Sequence, residues 1–300
     1  MKFSVIITAY NTENYIEKCL LSVFNQSYQN YEIIFVNDGS TDKTLQIAKK
    51  FKNDKMLIIN QTNKGISYSR NIAVKKAKGD YILFLDSDDY YELKLLEKLN
   101  NFIKNEDVIK FNYKSICKDK IVIPKNINFK NLDGKAAITQ LINSKIIFDM
   151  NCIYAFKLNY FKKFKYEIGR YHEDLGLIPI VIYKANNVAS INCIGYNYNR
   201  INETSITSFV SNEKEFKKAM DVLYYFKNVK KNIDNDMLVS YYANAVLNKV
   251  KLLNQSYKKE YIKFIKKEKV IDYLLDNNLK RKIKKIFFKI SFFIKWEEYY

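Results

Sequence analysis

The first ninety residues alternate nearly unbroken apolar runs with segments of helical periodicity, and this alternation constrains the fold more than any other feature. The apolar runs have strand length and cover residues 3–9, 31–37, 56–60 and 81–85. Helical spacing covers residues 16–24, 44–51 and 66–78, the last of which ends at Gly79. Strands that are apolar on both faces and separated by helices form a parallel sheet covered on both sides. The sequence therefore predicts an α/β fold around a mostly parallel central sheet.

The remainder of the chain divides into a second set of strands and a helical region. Beyond residue 107, strands are predicted over residues 108–113, 121–123 and 188–194, with a capped helix over 133–144. From residue 213 onward, helices are predicted over residues 215–227, 237–253, 260–275 and 280–296. The composition changes near residues 208–212, so we expect a sheet domain over residues 1–210 and a helical region over residues 211–300.

The composition is that of a globular, strongly basic protein. Apolar side chains make up 48%, and 51 Lys and Arg against 32 Asp and Glu give a formal net charge of +19, which indicates a polyanionic partner or a biased amino-acid usage. No apolar run approaches the ~20 residues that cross a bilayer, and the N-terminus lacks a signal-peptide pattern. The four cysteines fit neither a zinc site nor a disulfide framework. We therefore expect a cytoplasmic protein with reduced thiols.

Polar residues follow each of the first four predicted strands, and in a parallel sheet these positions meet at one edge. Tyr10 and Asn11 follow the first strand, residues 38–42 (DGSTD) the second, residues 63–65 (NKG) the third and residues 86–89 (DSDD) the fourth. An Asp-Gly-Ser sequence also suits a tight turn with a helix cap. Three acids in four residues repel one another, and a divalent cation with bound phosphate is the usual reason for such a cluster.

These blocks resemble the successive motifs of family 2 glycosyltransferases. The matching segments are residues 4–11 (SVIITAYN), 36–42 (VNDGSTD), 63–65 with Arg70 and Asn71, and 79–89 (GDYILFLDSDD), and the resemblance covers about residues 1–210. It implies the GT-A fold, the Rossmann-like fold of nucleotide-diphospho-sugar transferases. It also implies an inverting transfer of a hexose or N-acetylhexosamine from a UDP-sugar to a hydroxyl of a glycan or lipid-linked acceptor, in the synthesis of bacterial surface polysaccharide or lipooligosaccharide.

The resemblance also implies a nucleotide-sugar site. Tyr10 and Asp38 are expected to hold the uracil, and Asp86 to lie near the ribose. Asp88 is the expected metal ligand, together with Asp86, because Mn²⁺ or Mg²⁺ prefers carboxylate and phosphate oxygens and neutralises the leaving diphosphate. The full predicted set is Ala9, Tyr10, Asp38, Lys64, Arg70, Asp86, Ser87 and Asp88.

An inverting transfer also needs a base that removes the proton of the acceptor hydroxyl. Glu173 and Asp174, followed by the apolar residues 175–183, resemble the Glu-Asp motif that carries this base, so Asp174 is the predicted base and Glu173 the first alternative. Acids also favour the first turn of any helix. His172, the only histidine, either contacts the acceptor or diphosphate or is structural. Arg200, in residues 196–200 (YNYNR), is predicted to face the diphosphate.

The final predicted helix, within residues 280–300, is basic and amphipathic. Apolar residues at helical spacing alternate with lysines on another face, and no acid occurs between Asn277 and Trp296. Such a helix binds an anionic membrane surface with about 1 kcal/mol per basic residue. We expect peripheral attachment at the inner face of the cytoplasmic membrane, with packing against the protein as the alternative.

Three other functions and several substrate questions stay open at this stage. A sugar-1-phosphate nucleotidyltransferase needs a Gly-rich loop after the first strand, whereas residues 8–11 (TAYN) contain no glycine. A nucleic-acid-binding protein leaves the acidic crevice unexplained, so no nucleic-acid partner is expected. A catalytically silent sugar-binding module would share the fold but does not need the intact acids. Homo-oligomerisation, the transferred sugar, the acceptor and the choice of metal are not determined by the sequence.

Overall fold

The computed structural model describes residues 1–201 and 211–275, which form two compact units. Residues 1–169 and the stretch from Glu173 to residue 201 belong to the first unit. The second unit comprises Arg170–His172 and the described residues from 211 onward. The division of the chain at residue 210 stays a prediction, and the basic helix predicted over residues 280–296 lies outside the described residues.

A sheet of ten strands forms the centre of the first unit in its described part. Four parallel strands make up one half: β1 (Phe3–Ala9), β2 (Tyr31–Asp38), β3 (Met56–Gln61) and β4 (Tyr81–Asp86). The other strands are β5 (Tyr90–Tyr91), β6 (Val108–Ile116), β7 (Ile121–Val122), β8 (Phe129–Leu132), β9 (Tyr154–Lys157) and β10 (Val188–Asn199). The main order is β3-β2-β1-β4-β9-β6-β10-β5, with β7 beside β6 and β8 beside β10. The predicted α/β fold with a mostly parallel centre is confirmed.

Seven helices accompany this sheet within the described residues. They are α1 (Ile16–Phe24), α2 (Thr44–Lys50), α3 (Ile66–Lys76), α4 (Leu95–Phe102), α5 (Gly134–Asn143), α6 (Leu158–Phe161) and α7 (Glu173–Tyr183), with a 3-10 turn at Asn151–Ile153. The amphipathic spacing of α1 buries Ile16, Cys19, Leu20 and Val23. A Cβ on Gly134 would lie 2.1 Å from the carbonyl oxygen of Ile182, so only glycine allows α5 and α7 to approach this closely.

The sequence did not predict the strands β5, β8 and β9 or the helices α4 and α6, and β6 and β10 continue beyond their predicted ends. The strand β9 lies antiparallel between β4 and β6. Its four residues are too few to show a reliable alternation of polar and apolar side chains. The strand β10 continues to Asn199, five residues beyond the predicted end, because it also pairs with β5 near the acidic loop.

The second unit contains three helices in its described part: α8 (Asn212–Asn232), α9 (Asp236–Lys249) and α10 (Gln255–Lys267), with 3-10 turns at Val250–Leu252 and Val270–Tyr273. Each helix begins after a capping side chain, since Ser211, Asn235 and Asn254 accept hydrogen bonds from backbone N–H groups in the first turn. The segment Arg170–His172 is held here by the Arg170–Asp221 ion pair of 2.7 Å. None of the helices in the described ranges is long and apolar enough to span a membrane.

Candidate active site

The carboxyl ends of three adjacent parallel strands bring the predicted donor-site residues to one edge of the sheet. In the register of the sheet, Ala9 of β1 pairs with Asn37 of β2. Thr8 of β1 pairs with Asp86 of β4. The loops that follow these strands therefore begin side by side, as the parallel order requires.

Asp38 is 4% exposed and organises the loop after β3. Its carboxylate accepts hydrogen bonds from the backbone N–H groups of Lys64 and Gly65, both 2.9 Å, and from the side chain of Gln61 at 2.7 Å. Next to it, a Cβ on Gly39 would lie 2.5 Å from the backbone nitrogen of Asn63. Since Gly39 also has a φ of 76°, only glycine fits this close approach of the two loops. A carboxylate has about four acceptor positions, so Asp38 retains capacity for a further donor.

The loop after β1 leaves an aromatic ring in solvent. The Asn11 side chain accepts a hydrogen bond of 2.8 Å from the backbone N–H of Thr41, and the Asn11 backbone N–H donates to the hydroxyl of Ser40. These bonds hold the first loop against the second. Tyr10 is 47% exposed, so its ring is free to stack on a planar ligand. Lys64 is also exposed, and its ammonium lies 4.8 Å from the centre of the Tyr68 ring.

Arg70 is the centre of the site, and its side chain is only 3% exposed. The guanidinium nitrogen Nη1 donates to Glu173 Oε1 at 2.7 Å and to Asp174 Oδ1 at 2.9 Å. The other nitrogen, Nη2, donates to Asp86 Oδ1 at 2.9 Å. Burial lowers the pKa of Arg70, but Asp174, Asp86 and Glu173 outweigh it and raise this pKa well above its usual value. One buried cation thus joins the acidic end of β4 to the first turn of α7.

The ring of Tyr166 packs against the guanidinium of Arg70. Its ring centre lies 5.4 Å from the guanidinium carbon, and its hydroxyl oxygen accepts a hydrogen bond of 2.9 Å from the side chain of Asn151. The Asn71 side chain holds the backbone of Tyr166 at both its N–H and its carbonyl, each at 2.9 Å. Consecutive residues of α3 therefore bind the carboxylates at the carboxyl edge of the sheet and the segment that contains Tyr166.

Asp174 is held at both carboxylate oxygens. Oδ1 accepts from Arg70, and Oδ2 accepts from the backbone N–H of Asn151 at 3.2 Å. Burial raises the pKa of Asp174 and Glu173 raises it further, although Arg70 opposes the rise. This carboxylate therefore has a higher proton affinity than an ordinary aspartate, which suits a general base.

The acidic loop after β4 contains one deeply buried carboxylate that sequence reasoning did not assign to the site. Asp89 accepts hydrogen bonds from the hydroxyl of Tyr196 and from the backbone N–H of Asn199. Burial, followed by the charges of Asp86 and Asp88, raises the pKa of Asp89 to about 9. Asp89 therefore fastens the acidic loop to β10, and its only signal in the sequence is its place at the end of the acidic block.

The described residues contain no cluster of three or more His, Cys, Asp or Glu side chains arranged around one metal position. Mg²⁺ and similar ions are commonly held by one or two protein carboxylates together with substrate phosphates. Asp86 and Asp88 lie close enough to Asp89 for their charges to raise its pKa, so the end of β4 carries a concentration of negative charge that a divalent cation would neutralise. Their assignment as metal ligands stays a prediction.

The other predicted residues have distinct surroundings. His172 belongs to the second unit, where its Nε2 lies 2.7 Å from Lys249 Nζ. Burial and then Lys249 lower the pKa of His172 to about 4, so the neutral ring accepts this hydrogen bond. Arg200 is exposed, with its guanidinium 5.8 Å from the centre of the Tyr198 ring. Ser87 is buried beside the acidic residues. The roles of these residues stay predictions.

Comparisons with known proteins agree with this fold. A sequence model described as glycosyl transferase family 2 matches residues 4–164, more than half of the 300-residue chain. The chain belongs to glycosyltransferase family 2. The glycosyltransferase GlyA of Streptococcus pneumoniae is 32% identical over 219 residues, which is 69% of this chain and 31% of GlyA. The poly(ribitol-phosphate) beta-N-acetylglucosaminyltransferase TarS of Staphylococcus aureus is 37% identical over 158 residues, 50% of this chain and 26% of TarS.

The matched part of the chain thus spans less than a third of either relative. Among solved structures, residues 1–349 of S. aureus TarS in complex with UDP-GlcNAc superpose with a TM-score of 0.73 at 22% identity. That match covers 92% of this chain and 84% of the TarS chain. The predicted GT-A fold is confirmed.

Replacement of Arg70 tests whether this cation holds the site together. We expect Arg70→Gln to lower the free energy of unfolding by about 3 kcal/mol, because removing one partner of a buried pair leaves charges uncompensated. This loss lies at the low end of the range for breaking a buried ion pair, because the side chains of the three carboxylates are 17–34% exposed. The deficit should shrink as the pH falls from 7 to 5, because the released carboxylates take up protons more readily. Urea unfolding at both pH values measures this.

Two further variants serve as controls for Arg70→Gln. Arg70→Lys keeps the charge but not the forked donor geometry, so an intermediate loss is expected. Arg200→Gln removes an exposed arginine and should change the stability by less than about 0.5 kcal/mol. An equal loss for Arg70→Gln and Arg200→Gln would contradict the central role of Arg70.

Proposed function

We propose that this chain is an inverting glycosyltransferase that transfers a hexose or N-acetylhexosamine from a UDP-sugar to a hydroxyl of a glycan or lipid-linked acceptor in bacterial surface-glycan synthesis. The observation that carries the proposal is the convergence of Asp86, Glu173 and Asp174 on the buried Arg70. Membership in glycosyltransferase family 2 supports it. A similar protein, the poly(ribitol-phosphate) beta-glucosyltransferase of Bacillus spizizenii, is 37% identical over 173 residues. This similarity favours a hexose donor and a phosphate-containing surface polymer.

The donor is proposed to bind along the carboxyl edge of β1, β2 and β4. The exposed ring of Tyr10 suits stacking on uracil, and Asp38 retains acceptor capacity for a base N–H. Lys64 is exposed beside them and suits contact with the nucleotide. Asp86 and Asp88 would hold Mn²⁺ or Mg²⁺, which when bound neutralises charge on the departing UDP. Arg200 is proposed to contribute a second positive charge near the same acidic loop.

The base is proposed to be Asp174. Arg70 and the Asn151 N–H fix its carboxylate, so little reorientation is needed when an acceptor hydroxyl arrives. Asp174 takes the hydroxyl proton while the acceptor oxygen attacks the anomeric carbon on the face opposite to UDP. Glu173 is the alternative base. Arg70 contacts only its Oε1 atom, so the other carboxylate oxygen has capacity to accept the proton of an acceptor hydroxyl.

Two substitutions separate the metal side of the site from the base. Asp88→Ala should weaken Mn²⁺-dependent UDP binding, because it removes a proposed metal ligand. Asp174→Asn should leave UDP binding intact but lower transfer at least about 100-fold, because it removes the general base. Calorimetry with UDP and Mn²⁺ measures the binding, and sugar transfer from UDP-GlcNAc or UDP-glucose to poly(ribitol phosphate) measures the activity.

The exposed Asp54 provides the matched control, since Asp54→Asn makes the same chemical change outside the site and should alter neither quantity. Full transfer by Asp174→Asn would assign the base to Glu173 or another residue. Failure of the unaltered protein to bind UDP, with or without Mn²⁺, would contradict the proposed function itself.

The same proposal includes a cytoplasmic location with attachment to the inner face of the membrane. It rests on the sequence of residues 280–296, whose spacing predicts a helix with a lysine-bearing face and an apolar face. A membrane-bound acceptor would then be held near the enzyme. Dependence of the transfer on Mn²⁺ or Mg²⁺ is part of this proposal as well.

Removal of residues 280–300 tests the membrane part. The shortened protein should lose binding to vesicles that contain anionic phospholipid, because it lacks the basic amphipathic segment. Cosedimentation with anionic and with neutral vesicles measures this. Replacing Lys282, Lys285 and Lys289 by Gln should give a partial loss, while unchanged binding after the deletion would refute attachment through this segment.

A further inference from the structure

A basic groove runs along one flank of the first unit, outside the residues already described at the carboxyl edge of the sheet. The volume of this groove is about 340 Å³. The groove lies between the second half of α3 and the segment after α6. The side chains that line it are Asn71, Val74, Lys75, Lys162, Phe164 and Lys165.

The three lysines of this groove carry uncompensated charge. Lys75, Lys162 and Lys165 are exposed, and none of them forms an ion pair with a carboxylate in the part of the chain that the structure describes. The ammonium of Lys162 donates one hydrogen bond of 3.3 Å, to the carbonyl oxygen of Ala77. Three ammonium groups around one concavity attract an anion and repel one another when it is absent.

The walls of the groove are fixed, and they are connected to the candidate active site. Asn71 holds the backbone of Tyr166 by two hydrogen bonds, which ties the segment after α6 to α3. The aromatic ring of the same Tyr166 packs against the guanidinium of Arg70. Asn71 lines the groove and directly follows Arg70 in α3, whereas Lys75 lies about 7.5 Å beyond Arg70 along the helix axis. One end of the groove is therefore next to the residue that holds Asp174.

We propose that this groove binds the phosphodiester backbone of a polymeric acceptor while one of its hydroxyl groups occupies the site at Asp174. This inference rests on the proposed glycosyltransferase function and names the class of acceptor. Lysine ammonium groups bind phosphates as compact point charges, and several of them spaced along a groove suit a repeating phosphate. The half-buried ring of Phe164 offers apolar contact for the carbon chain between phosphates. A concave site also fits a single chain better than it fits a flat lipid surface.

The test compares acceptor binding by two variants of equal charge. The groove variant carries Lys75→Gln, Lys162→Gln and Lys165→Gln. We expect it to bind poly(ribitol phosphate) at least roughly tenfold more weakly than the unaltered protein at low salt, because three phosphate contacts are lost. The affinity of the unaltered protein should fall with added salt, and that of the groove variant should fall less steeply. Fluorescence anisotropy of labelled polymer measures both.

The matched control carries Lys49→Gln, Lys50→Gln and Lys52→Gln, three exposed lysines at the end of α2 and beyond it. Its binding should stay within about twofold of the unaltered protein, since exposed charges far from a ligand are screened. Equal losses in both variants would mean that only the total charge matters and would overturn the proposal. Unchanged binding by the groove variant would overturn it too, as would a loss that affects only anionic vesicles.

Donor measurements separate this proposal from the proposed function. Both lysine variants should hydrolyse UDP-GlcNAc or UDP-glucose, and bind UDP, as well as the unaltered protein does. If the unaltered protein binds the donor but the groove variant binds the polymer as well as the unaltered protein does, only the groove proposal fails. If the unaltered protein neither binds nor uses a UDP-sugar, the proposed function fails. Lys165→Glu alone changes an exposed residue, so it gives a second test with little risk to folding and should also weaken polymer binding.

Discussion

The ion pairs of Arg70 are the interaction on which the rest of the site depends. Asp86 ends a central strand, whereas Glu173 and Asp174 begin a helix much later in the chain. Bringing these carboxylates together without a cation would be opposed by their mutual repulsion in a poorly solvated place. A buried guanidinium with its fork of donors satisfies all three, with distances of 2.7–2.9 Å. The cation that stabilises this arrangement also fixes the orientation of the proposed base.

The parallel sheet supplies the other half of the geometry. Because β1, β2 and β4 end side by side, their loops share one edge, and backbone hydrogen bonds to Asp38 shape the loop that leads into α3. Helix α3 then carries Arg70 toward the acids and Asn71 toward Tyr166. One helix thus links the proposed nucleotide edge, the proposed base and the basic groove.

The sequence predicts the first half of the fold well because its strands and helices have different and clear periodicities. Short antiparallel elements such as β9 escape prediction, since four residues carry little pattern and their pairing is set by distant strands. The places of the acids after the strands predict that they share one edge of the sheet, and the strands β1, β2 and β4 do end side by side. The ion pairs of Arg70 with Glu173 and Asp174, and the hydrogen bond from Tyr196 to Asp89, join positions about a hundred residues apart. Local spacing contains no information about such contacts. The burial of Lys110 in β6, which lowers its pKa to about 8, also could not be predicted, because the alternation of residues in this strand does not indicate a buried lysine.

A crystal structure of the protein with UDP-GlcNAc and Mn²⁺ would show whether the donor binds beside the carboxylates that Arg70 holds. We expect the diphosphate and the metal at Asp86 and Asp88, with the anomeric carbon facing Asp174 and the guanidinium of Arg70 still within hydrogen-bond distance of that carboxylate. A nucleotide bound away from this edge, or an Asp174 that has separated from Arg70 and points away from the sugar, would contradict it.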